Sequence, residues 1–192
     1  MFYRSIATTM SSVQSSNTCA DCITVVSSDG SEQFTLFFGY RCPLSNFHRT
    51  GFTLDGLTFI NSEQYYHYWK ALTFDDNNTA QKILRATHPR EQKRLGRSVK
   101  NFDQKHWDTV SFDIMKTGTT AKFVQNADAC AHLFSKANTT LAEASPWDRK
   151  WGIGMARDNP NVNNKLNWKG ENLLGRVLEK VTAELVEIVM NE

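Results

Sequence analysis

The chain has 192 residues, 40% of them apolar, enough for one ordinary globular domain with a real core. A net charge of +2 excludes a nucleic-acid binder that depends on phosphate attraction alone. No run approaches the roughly 18–20 consecutive apolar residues of a membrane span, and no apolar signal-peptide core opens the chain, so an intracellular, cytoplasmic monomer without membrane contact is expected.

Residues 1–33 are rich in Ser and Thr, carry one Arg and no acid before Asp21, and show no sustained period. They read as a flexible tail whose composition slightly resembles a transit peptide, and since a lone Arg is too little positive charge to decide, organelle targeting stays open beside the cytoplasm. Of the four cysteines, Cys19 and Cys22 form a Cys-x-x-Cys pair, while Cys42 and Cys130 stand alone. A zinc site needs two further ligands at matching spacing and a redox motif needs a following helix, so all four read as reduced thiols and no metal or cofactor is expected. Order is expected from residue 34 on, as one domain to residue 192.

Residues 34–40 are β-rich, and the polar, Pro-broken stretch 41–47 reads as a loop. Two short alternating runs flank Asp55-Gly56, a pair suited to the left-handed backbone of a two-residue hairpin. Asn61 can cap a helix starting near Ser62, with Gln64 reaching back as in a capping box and Ile60 and Tyr65 at staple spacing. Further helices are predicted over 78–85, over 89–97 with Pro89 in the first turn, over 104–124 after the cap Asp103, and over 127–136. Residues 139–143 look extended. The aromatic, charged and Gly-containing stretch 145–154 reads as a binding loop, 158–167 as a second loop, and a final helix from about 171 places Leu174, Val177, Leu178, Val181, Leu185 and Ile188 on one side.

The helix beginning at Ser62 organises the rest. At about 100° per residue, a spacing of seven returns Lys70 to within about 20° of Glu63, with Tyr66 and His67 on the same stripe. Helical Glu–Lys support needs a spacing of three or four, so the two heads point at something other than each other. A Glu63–His67 metal pair finds no third ligand at suitable spacing.

Taken together, Ser45-Asn46-Phe47, Ser62-Glu63-Gln64 with Lys70-Ala71, Leu95-Gly96-Arg97, Trp107, Lys122-Phe123-x-Gln125, Glu143-x-Ser145-Pro146, Asp148 with Trp151-Gly152-x-Gly154, and Asn172-x-Leu174-Gly175 form a series. In this order the chain resembles the NADAR family, also called YbiA-like, over about residues 34–190. The resemblance implies a compact, mainly helical α+β domain with a small N-terminal hairpin or sheet, N-glycosidase activity and no required metal. The implied substrates are ADP-ribose attached to guanine in DNA, RNA or a nucleotide, or ribosylamino pyrimidine intermediates of riboflavin synthesis. The stretch 155–169 is longer than the loop associated with the family. A free-standing domain of this kind favours the guanine substrate.

Breaking a ribosyl C–N bond passes through an oxocarbenium-like state, which calls for a carboxylate near the sugar, a proton donor for the leaving nitrogen, and water. Glu63 is expected at the sugar and Asp148 in proton transfer or orientation, unless Asp148 merely pairs with Arg149 or Lys150. Lys70 either orients Glu63 as a cation or attacks the opened sugar aldehyde as an amine. Trp107, Trp151 and Tyr40 are candidate stacking faces, Trp107 the strongest by its place in a family motif, though residues of this kind are more often core than platform. Arg41 and Arg97 are candidate phosphate donors, Asn46 a partner for ribose or base, and Gly152 part of the substrate loop. Two other readings remain, a non-catalytic nucleotide-binding module and a structural helical domain.

Overall fold

A computed structural model describes Cys19 and residues 21–190; expectations for residues 1–18 lie outside the described residues. The described residues form five strands, a single 3-10 turn and six helices, an α+β architecture dominated by helix, as the sequence pattern implies. Two units separate by their contacts, residues 49–126 and residues 1–48 with 127–192.

In the first of these, β3 (Phe52–Leu54) and β4 (Leu57–Phe59) make the expected hairpin, and Asp55 and Gly56 both take positive φ, 52° and 76°. Helix α1 (Ser62–Thr73) follows. Asn61 Oδ1 accepts the Gln64 backbone N–H at 2.7 Å, while Gln64 Oε1 accepts from Ile60 N–H, one residue outside the usual capping-box partner. The Gln64 amide also donates to the carbonyls of Ile83, Leu84 and Ala86 at the end of α2 (Asn77–Arg85). Residues 62–68 of α1 are all buried, polar ones included, because α2, α3 (Pro89–Arg97) and α4 (Gln104–Val124) pack around it.

In the other unit, β1 (Cys22–Val26) pairs antiparallel with β2 (Gln33–Phe37), and β2 pairs in parallel with β5 (Thr140–Glu143). Phe34, Leu36, Ala142, Ala144, Ile153, Met155 and Val162 form its core cluster. Helix α5 (Ala127–Phe134) precedes β5, and α6 (Leu173–Met190) covers it through Leu174, Val177, Leu178, Val181 and Leu185. Ile188, expected on that stripe, is exposed as the helix runs beyond its support. Asn172 continues the β5 edge with its side chain, accepting Glu143 N–H and donating to the Leu141 carbonyl. A Cβ on Gly175 would collide with that same carbonyl, so the Asn172-x-Leu174-Gly175 motif seats a helix on a strand.

Two expectations need correction here. β1 falls inside the stretch 1–33 read as a tail; its Cys22-Ile23-Thr24-Val25-Val26 is a short β-branched run masked by the Ser and Thr around it, and it forms an edge strand with Ile23, Thr24 and Val26 exposed, held by its backbone ladder and by a Thr24–Thr35 cross-strand pair. Cys22 and Cys42, expected as thiols, are joined as a disulfide with Cα atoms 6.4 Å apart, while Cys19 and Cys130 are free.

Candidate active site

Glu63 and His67 lie one turn apart on α1, both nearly inaccessible at 5% and 6% exposure. His67 Nε2 stands 2.9 Å from Glu63 Oε1, while His67 Nδ1 is buried with no hydrogen-bond partner. The neutral Nε2–H tautomer satisfies this geometry: Nε2–H donates to the carboxylate, and the unpartnered Nδ1 carries a lone pair rather than a stranded proton. Gly96 fixes the ring from behind, since a Cβ there would overlap the imidazole. Glycine in the Leu95-Gly96-Arg97 motif is therefore what admits His67.

Next to this pair, Trp107 Nε1 donates to Tyr66 Oη at 2.9 Å with ring centroids 5.1 Å apart, and both residues are buried. Trp107 serves as a core anchor for α1, the second of the two uses its sequence allowed. Lys70 Nζ sits 3.8 Å from the Phe102 ring centroid, a cation–π seat that keeps the amine beside α1. Arg97 is exposed at the end of α3.

The remaining expected residues belong to the other unit. Asp148 Oδ1 accepts the backbone N–H groups of Lys150 and Trp151 at 3.1 and 2.8 Å, an Asx turn that folds the loop back on itself. The carbonyls of Arg149, Lys150, Trp151 and Gly152 then accept the N–H groups of Glu171, Leu173, Leu174 and Asn172, satisfying the donors that open α6. Gly152 is required by crowding, as a Cβ would come within 2.8 Å of the Glu143 carbonyl and 3.0 Å of that of Asp148. Trp151 is buried, whereas Trp147 and Tyr40 present exposed rings. Asn46 is buried in the 38–48 segment. Arg41 Nη2 and Nε reach Asp21 at 3.1 and 3.3 Å, on a side chain that is otherwise largely exposed.

The structure thus brings Glu63 together with His67, and Tyr66 with Trp107, while Asp148, Trp151 and Gly152 share one loop. Two residues of chemical interest were not assigned a site role from sequence. His67 as the partner of Glu63 was signalled by its spacing of four. Lys122, on α4, is fully buried, and burial pushes its ammonium down to about 7; only its place in a motif hinted at this.

A model of the NADAR domain matches residues 36–186, which takes in both units. The chain belongs to the NADAR family. Protein irg-1 of Caenorhabditis elegans is 38% identical over 176 residues, 83% of each chain. N-glycosidase R617 of Acanthamoeba polyphaga mimivirus is 40% identical over 126 residues, covering 66% of this chain and 74% of the relative. The NMR structure of Escherichia coli YbiA superposes with a TM-score of 0.67 at 26% identity, over 82% of this chain and 88% of that one. In this NADAR chain the matched region begins within β2 and leaves β1 and the Cys19–Cys22 pair outside.

Proposed function

We propose that the chain is a hydrolase of N-glycosyl bonds, and that its substrate is ADP-ribose joined to guanine. The observation that carries the reading is the buried Glu63–His67 pair, set in a family whose relatives include a protein named N-glycosidase R617. As the C–N bond breaks, its electron pair leaves with the base nitrogen and positive charge spreads over C1′ and the ring oxygen. Water oxygen then adds to C1′, and one water proton ends on the released nitrogen. A carboxylate held rigidly in a dry site stabilises that charge and takes the proton from water. Because His67 holds Oε1, Oε2 is the oxygen that faces this task. On the same unit as Glu63, the exposed Arg97 offers a guanidinium suited to a diphosphate-bearing substrate.

A second reading, cleavage of ribosylamino pyrimidine intermediates, is supported by a relative named riboflavin biosynthesis protein VVA0006 of Vibrio vulnificus, 31% identical over 144 residues, though the match covers only 35% of that protein. Incubating the chain separately with ADP-ribosylated guanine DNA and with the pyrimidine ribosides, and following release of base or sugar, separates the two. Release from guanine DNA is expected. Release from the pyrimidine substrate alone would favour the second reading, and ADP-ribose binding without any release would reduce the protein to a binding module.

A further inference from the structure

Outside the Glu63 helix, the described residues hold a cluster of soft ligands that the hydrolytic reading does not use. Cys19, Cys22, Cys42 and His132 place their four donor atoms within 4.8 Å of one another. Three separate pieces of chain build it. Cys22 N–H donates to the Cys19 carbonyl at 3.0 Å just ahead of β1. Cys42 lies on the segment after β2, which is tied to Asp21: Phe38 N–H donates to the Asp21 carbonyl, and Arg41 pairs with Asp21 through side chain and backbone. His132 comes from α5, buried at 4% exposure, with Nε2 3.7 Å from Cys22 Sγ.

We propose that these residues form a Cys3His zinc site that staples the N-terminal segment to the domain. Sulfur at about 2.3 Å and nitrogen at about 2.0 Å from a tetrahedral centre stand about 3.5–3.8 Å apart, and the Cys22–His132 separation agrees. Three thiolates and an imidazole are the donor set of a structural zinc, and soft sulfur excludes magnesium and calcium. All four positions are filled by protein, which leaves no open position for chemistry. The disulfide between Cys22 and Cys42 and the zinc thiolates are alternative uses of the same two sulfurs. A disulfide requires only those two, and gives no account of a third thiol and a buried imidazole converging on them. Loading starts from the reduced chain: Zn²⁺ binds, three thiol protons go to solvent, and no electrons move. Cys130 is two residues from His132 on α5 and is not among the four. The sequence showed only the first half of the set, because Cys42 and His132 lie at no motif spacing from Cys19 and Cys22.

The test is metal analysis of the full chain purified with a phosphine reductant and no chelator. About one zinc per chain is expected, retained in Cys130→Ser and lost from Cys19→Ser and His132→Ala, with an affinity drop larger than the roughly 10–100-fold caused by losing an outer-shell partner. Cys19 belongs to no helix or strand, so Cys19→Ser is the variant that keeps the fold. Cobalt(II) added to the reduced wild type provides a readout independent of any variant, with tetrahedral d–d bands and a sulfur-to-cobalt charge-transfer band expected. A reduced, folded wild-type chain that binds no more zinc than Cys19→Ser would overturn the proposal. A cobalt complex without sulfur charge transfer would overturn it equally.

Discussion

Glu63 differs from a solvated helical acid in having one oxygen held by His67 and a side chain that is almost fully buried. Replacing it by Gln preserves the shape and still offers an oxygen to His67 Nε2–H, but the amide takes no proton and holds far less negative charge. Glu63→Gln is expected to lower kcat by about 10²–10⁴ while the melting temperature stays within a few degrees. Near-wild-type turnover would remove Glu63 from the chemistry. Lys70 poses a sharper question. If its amine captures the opened ribose aldehyde, borohydride added during turnover leaves the sugar fragment on the Lys70 peptide as a mass increase. Lys70→Arg then abolishes labelling and activity together, since guanidinium is a poor nucleophile at any working pH. Substantial activity in Lys70→Arg, with no label on wild type, would mean that Lys70 acts only as a cation that orients Glu63.

Among the elements, β1 is where composition misled. Its β-branched run Ile23-Thr24-Val25-Val26 was submerged in the Ser and Thr content of the first 33 residues, and the ladder to β2 and the Asp21–Arg41 pair hold it in the sheet. Deleting residues 1–18 is expected to leave melting and activity nearly unchanged, whereas deleting 1–33 removes β1 and exposes β2 as a new edge. The longer deletion should lower the melting temperature by more than about 5 °C, at about 2–4 °C per kcal/mol for a chain of this size. Equal melting curves for the two truncations would mean that β1 contributes nothing. The helices were more legible, because Asn61, Asp103 and Pro89 mark their starts chemically, and Asp55-Gly56 marks its turn by backbone conformation. The Glu63–His67 contact was readable from a spacing of four on a helix. The contacts of Asp148 and Arg41 were not, since an Asx turn and an ion pair formed 20 residues apart depend on where the chain returns.

At the scale of the whole molecule, a formal charge of +2 says nothing of which charges are buried, and Lys122 is a fully buried one whose burial bears on stability. Its ammonium titrates near 7 in the folded chain against an ordinary 10.5, because burial removes the water that stabilises the charged form. Between those values the unfolded chain carries the proton and the folded chain has shed it, so the unfolded state binds more protons and stability rises with pH. Below about pH 7 both states are protonated and the folded state bears the full cost of a buried charge. Lys122→Met removes this titration while keeping the length of the side chain. The melting temperature of wild type minus that of Lys122→Met is therefore expected to climb as pH is raised from 7 toward 10. Any fixed loss of the amine's own contacts shifts every point equally and leaves that slope untouched, and other titrating groups cancel in the difference. A difference that stays flat across the interval would show that Lys122 keeps its proton in the folded chain.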